Sequence, residues 1–153
     1  MTTVIVKDFD GKFLDRLKKA LTGKRERIVK VGIPSTAKES DGGSTALIAA
    51  VHEYGAPDKG IDERAFLRTG LQKNLGRYKA LNEQNLKKVI NGGMSVDDAL
   101  GRLGLMASSD VKDHIRDGSF APLDPKTIKR KGSSKPLIDT GQMRQSITFE
   151  IEK

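Results

Sequence analysis

Three clusters of side chains in this sequence are of types that can do chemistry. They are Asp139-Thr140-Gly141 near its end, the adjacent pair His52-Glu53, and the cations Lys126, Lys129, Arg130, Lys131 and Lys135. An aspartate in such a turn can share a proton with a second carboxylate across a dimer axis and act in acid–base chemistry. His and Glu bind zinc, and two histidines four residues apart lie on one helical face. Closely spaced Lys and Arg attract phosphates.

Spacing argues against the first two. Residues 137–141 resemble the active-site loop of retroviral-type aspartic proteases, but that chemistry needs most of a β-barrel, flap included, downstream of the loop. Only 12 residues follow Gly141, and the patterns upstream are helical. The zinc motif requires a second histidine at position 56, where this chain has Ala56; its other histidine is His114. The paired carboxylates Asp97-Asp98 and Asp62-Glu63 fall at expected helix starts, where the helix dipole accounts for them. With no cysteine there is no disulfide framework, thiolate zinc site or thiol nucleophile. There is no G-x-G-x-x-G, P-loop or G-x-S-x-G motif. The expectation is a protein that is not an enzyme, with no catalytic residue, cofactor or metal.

The net charge of +8 is dispersed: residues 1–60, 61–120 and 121–153 carry roughly +3, +2 and +3. A dedicated DNA-binding domain usually concentrates its charge on one helix or arm. Aromatic residues are scarce and Trp is absent, which disfavours a base-stacking platform. Lys7, Asp8 and Asp10 interrupt any early apolar run, and no stretch approaches the ~20 apolar residues of a membrane span. The expected class is a soluble protein made inside a cell, with no membrane partner.

The elements that position these clusters follow from periodicity. Residues 3–6 read as a strand, and Phe13, Leu14, Leu17 and Leu21 as a helix ended by Gly23. Residues 27–33 form a second strand ended by Pro34, and residues 35–44 an exposed, flexible loop. Ser44 or Thr45 caps a compact helix whose apolar stripe is Ala46, Leu47, Ala50, Val51 and Tyr54, stopped by Gly55. A single long helix is expected from Leu67 through Leu71, Leu75, Tyr78, Leu86 and Val89 to Gly92, about 40 Å at 1.5 Å per residue. Its Arg64, Arg68, Lys73, Arg77 and Lys79 read as a solvated face. Ser95 with Asp98 resembles a capping box opening the next helix, through Leu103, Val111 and Ile115 to Gly118. Gly101 and Gly104 within it imply close backbone packing. The two helices should form an antiparallel hairpin. Residues 118–136 cross back as a flexible segment with one helical turn at Asp124-Pro125. In the closing stretch the 139–141 turn guides Met143 to Ser146 into a strand, where Ile147, Phe149 and Ile151 alternate with Thr148, Glu150 and Glu152.

The predicted fold is α+β, one domain over residues 1–153. A small antiparallel or mixed sheet, from residues 3–7, 27–33 and 146–152, packs against the long α-helical hairpin and a shorter helix. Its buried face should include Val4, Val6, Ile28, Val31, Ile147, Phe149 and Ile151.

Three stretches together resemble one family. They are Val31 to Ile33 followed by residues 46–57 with His52, Glu53, Tyr54 and Gly55; residues 64–68 with Phe66, Leu67 and Arg68; and residues 135–147 with Asp139, Thr140 and Gly141. The family is the virion-morphogenesis proteins of tailed bacteriophages that act as tail-completion or tail-terminator proteins at the neck. Such proteins typically carry a proline before the Phe-Leu-Arg run, where this chain has Asp62, Glu63 and Ala65. The resemblance implies a structural virion subunit without an active site, made in the host bacterial cytoplasm. It would form a hexameric ring with copies of itself, cap the tail tube and meet the head connector. Genomic DNA would pass through the ring, and Lys129, Arg130 and Lys131 would contribute lumen charge. The alternative is a basic module that binds nucleic acid without regard to sequence, with an unrecognised hydrolase behind it.

Overall fold

The computed structural model describes residues 27–132 and 134–152, together with Asp15. The strand expected at residues 3–6 and the helix after it lie outside the described residues, as do Val4 and Val6.

The elements in chain order are β1 (Ile28–Gly32), α1 (Thr45–Tyr54), a 3-10 turn (Pro57–Lys59), α2 (Leu67–Lys73), α3 (Leu75–Ile90), α4 (Val96–Asp117), α5 (Pro125–Lys131), α6 (Gln142–Gln145) and β2 (Thr148–Glu152). The fold is α+β and mostly helical, with one two-stranded antiparallel sheet among the described residues.

β1 and β2 pair in the register Val29 with Ile151 and Val31 with Phe149, which puts four apolar side chains on one face. Of the expected buried set, Ile147 is buried, Val31, Phe149 and Ile151 are half-buried, and Ile28 is exposed at 47%. A strand alternates with period two, so Ile28 and Val31, three apart, must fall on opposite faces. The inward residue is Val29. α4 lies across both strands, and its Gly104 sits under the Phe149 ring so closely that a Cβ there would overlap it.

The long helix expected from Leu67 onward is two helices. Asn74 leaves helical geometry at φ −109° and ψ 7°, and its side-chain amide donates to the Gly70 carbonyl at 2.9 Å. Asparagine competes for backbone partners in this way and so breaks helices. The apolar spacing continues across the break, which is why periodicity reads one element. α3 and α4 are antiparallel: Arg77 Nη1 meets Asp110 Oδ1 at 2.8 Å near one end, and the Asn85 amide donates to the Ala99 carbonyl at 3.2 Å near the other. Burial, then the Asp110 charge, holds the neighbouring Tyr78 hydroxyl well above its ordinary pKa of 10.0.

Local cap chemistry behaves as the sequence implies. Ser44 Oγ accepts from Leu47 N–H at 3.3 Å, and Ser95 Oγ accepts from Asp98 N–H at 3.0 Å. Asp124 caps α5 with Pro125 at its first position, and α5 runs seven residues rather than one turn. Residues 142–145 form a helical turn rather than the start of the closing strand. The 35–44 loop is tied by a bond from Ser40 N–H to Gln142 Oε1 at 3.2 Å and by a Lys38–Ser44 bridge.

The core gathers Ala49, Phe66, Val111, Ile115, Leu137, Met143 and Ile147. Phe66 is 2% exposed and Ile147 1%, each worth roughly 1.5–3 kcal/mol of burial. Residues 46–57, 64–68 and 135–147 thus meet here, through Ala49, through Phe66, and through Leu137, Met143 and Ile147.

Candidate functional site

α1 places its functional residues in an orientation opposite to the one its apolar stripe implies. Thr45, Ala49 and Glu53 face inward at 0%, 7% and 5% exposure, while Leu47 and Tyr54 point out at 65% and 70%. Glu53 accounts for the rotation. Its Oε2 accepts from Leu67 N–H at 2.8 Å and its Oε1 from Arg68 N–H at 3.1 Å, so one carboxylate caps the start of α2. The first N–H groups of a helix have no partner within it, and an anion there also meets the positive end of the dipole.

Around Glu53 the rest of the 52–55 and 66–68 residues assemble into a latch. Arg68 pairs with Glu63, and its guanidinium lies 5.7 Å from the Tyr54 ring centroid. Arg64 N–H donates to the His52 carbonyl at 2.7 Å. Gly55 turns the chain at φ 75°, with the Glu63 N–H only 2.9 Å from where a Cβ would lie. Arg64, read from sequence as part of a solvated face, is buried. Its Nε donates to the Ala121 carbonyl at 2.9 Å and its Nη2 to the Pro122 carbonyl at 2.8 Å, clamping the segment after α4. No local signal marked it.

On the other side of α1 lies a cleft of about 240 Å³ between α1, α5 and the 137–141 turn. Its polar lining is Glu39, His52, Thr127, Arg130, Lys131, Asp139 and Thr140; its apolar lining includes Ile48, Leu123, Leu137 and Met143. The three sequence clusters therefore converge, although their members lie up to about ninety residues apart. The convergence is partial: Lys126, Lys129 and Lys135 are exposed and do not line the cleft. Glu39, which the sequence did not single out, joins it from the 35–44 loop.

The electrostatics are specific. Burial, then the charges of Arg64 and Lys131, pushes the His52 pKa below its ordinary 6.5. Burial also lowers the Lys131 pKa, with Asp139 opposing. Lys131 Nζ donates to the Lys135 carbonyl at 2.9 Å. His52 Nδ1 and Glu39 Oε1 are sealed from solvent with no hydrogen-bond partner among the described residues. Leu137 forms one wall from a left-handed backbone at φ 61°, a conformation costing a non-glycine residue about 1–2 kcal/mol.

Asp139 is exposed, and its turn is closed by Thr140 Oγ1 accepting from Gln142 N–H at 3.2 Å, with Gly141 at φ 82°. Among the described residues no group of three or more His, Cys, Asp or Glu side chains is placed to hold a metal ion. No described helix is long and apolar enough to cross a membrane. Comparison of the chain with protein-family models, with curated proteins and with solved structures finds no match.

His114 lies on the far side of α4. It packs against Phe120, with ring centroids 5.1 Å apart, and burial, then Lys73, lowers its pKa.

Proposed function

We propose that this chain is a structural virion protein of a tailed phage or prophage: a ring-forming neck or tail-terminator subunit that caps the tail tube and joins it to the head connector. The observation that carries this reading is the outward face of α1, where Leu47 and Tyr54 stand exposed, one above the other, on a helix anchored by the Glu53 latch. Exposed apolar side chains grouped on one element are characteristic of protein–protein contact surfaces. A ring needs one such heterologous contact repeated around a closed axis. The resemblance in residues 46–57, 64–68 and 135–147 supplies the kind of assembly.

Light scattering at several concentrations, followed by negative-stain imaging, tests the reading. A closed ring near six times the 16.7 kDa chain mass is expected, and Leu47→Glu with Tyr54→Glu should reduce it to monomers that keep their helical circular dichroism. A ring unaffected by both substitutions would remove α1 from the interface.

The second reading is a nucleic-acid-binding module without sequence preference. It is favoured by Lys126, Lys129 and Arg130, whose side chains make no ion pair among the described residues. A monomer binding duplex DNA at submicromolar affinity, weakened by salt and by Ser at positions 129, 130 and 131, would favour it.

A further inference from the structure

We propose that the cleft between α1, α5 and the 137–141 turn binds the carboxy-terminal residue of another protein chain, one whose last side chain is apolar. The argument starts from what the cleft leaves unmet. The Glu39 carboxylate lines the cleft with no hydrogen-bond donor or ion-pair partner among the described residues. Arg130 has no partner among the described residues. The Lys131 ammonium has three donors and gives one to the Lys135 carbonyl. Between these polar groups lie Ile48, Leu123, Leu137 and Met143.

A chain end offers three matching groups on one carbon. Its carboxylate suits Arg130 and Lys131, its N–H suits Glu39, and its side chain suits the apolar walls. Other ligands satisfy fewer of these. An internal peptide residue has the N–H but no carboxylate beside it. An Asp or Glu side chain brings a carboxylate but no apolar group. A phosphate brings more negative charge against Glu39 and Asp139 and nothing for the walls. The volume, about 240 Å³, falls below the roughly 300–1,000 Å³ of small-molecule sites and suits one residue. The cations lowering the His52 pKa indicate a positive field at that side of the cleft. This inference does not depend on the ring reading, since a monomer could bind in the same way.

The test uses the full chain and three probes: N-acetyl-alanyl-leucine as the free acid, the same compound as its carboxy-terminal amide, and N-acetyl-leucine. Two-dimensional amide NMR should show the free acid shifting residues 39–40, 52, 127–131 and 137–141, saturating in the millimolar range. The amide should bind at least about tenfold more weakly, as should the free acid to Arg130→Gln and to Lys131→Gln, a change of about 1.4 kcal/mol. Arg130→Gln leaves the Lys131–Lys135 bond intact, so it separates ligand contact from local folding. Failure of the free acid to shift these residues, equal binding of acid and amide, or no effect of Arg130→Gln would overturn the proposal. N-acetyl-leucine carries the same three groups on one carbon and should bind within a few-fold of the dipeptide; its failure to shift the same residues would overturn the assignment of the cleft to a single terminal residue.

Discussion

Glu53 shows how one buried carboxylate can decide the orientation of a helix. The Leu47-Val51-Tyr54 spacing of α1 points its apolar stripe inward on any local reading. Yet two backbone N–H groups at the start of α2 are better served by Glu53 than by solvent, and the small Thr45 and Ala49 allow close packing along the same row. Replacing Glu53 with Ala removes both acceptors at once, so unfolding in urea should show a loss of about 2 kcal/mol or more. Glu53→Gln keeps one carbonyl oxygen and should recover part of it. A loss below about 0.5 kcal/mol for the alanine variant would mean that the cap contributes little. At this scale the sequence was informative where chemistry is local, as at Ser44, Ser95, Asp124 and the 139–141 turn. It was uninformative for Arg64, whose partners lie far along the chain, and for Glu39, which meets the rest of the cleft only through the fold.

Elements were legible where they end on their own residues and illegible where a partner ends or rotates them. β1, α1, α4 and β2 were anticipated near their observed limits. The Asn74 break was not, because a side chain turning back on Gly70 leaves the apolar rhythm of Leu67, Leu71, Leu75 and Tyr78 unchanged. The glycines of α4 were read as close packing. Gly104 bears that out under Phe149, whereas Gly101 has open space where a Cβ would be. Gly104→Ala should therefore destabilise by about 1–3 kcal/mol despite the better helix propensity of alanine. Phe149→Leu should offset part of that loss, because the two positions share one contact and will not be additive. Thermal unfolding of the two single variants and the double variant measures the coupling.

For the molecule as a whole, the α+β class follows from the sequence, but the cleft does not: its walls come from the 35–44 loop, α1, α5 and the 137–141 turn, and nothing local encodes their meeting. The chain has two histidines, His52 and His114, and both are held below their ordinary pKa chiefly by burial. As pH falls through about 6.5, the unfolded chain takes up protons that the folded chain refuses, so stability declines from neutral pH toward the lower folded values. Unfolding midpoints at about pH 7.5 and pH 5.5 should differ in that direction. The difference should shrink in the His52→Gln, His114→Gln double variant.

The stretch from Leu137 to Glu152 contributes Leu137, Met143 and Ile147 to the core and one of the two paired strands. The exposed Lys126, Lys129 and Arg130 just before it lie in the short helix α5, where trypsin can cut once that helix opens locally. A cut there severs the backbone, but the severed tail remains packed and paired, and Arg64 still holds residues 121 and 122 on the other side of the cut. Trypsin-nicked protein should therefore migrate as one species under native conditions and separate into two pieces only in denaturant. The tail would then be a detachable peptide that could be made separately, altered and added back to restore the fold.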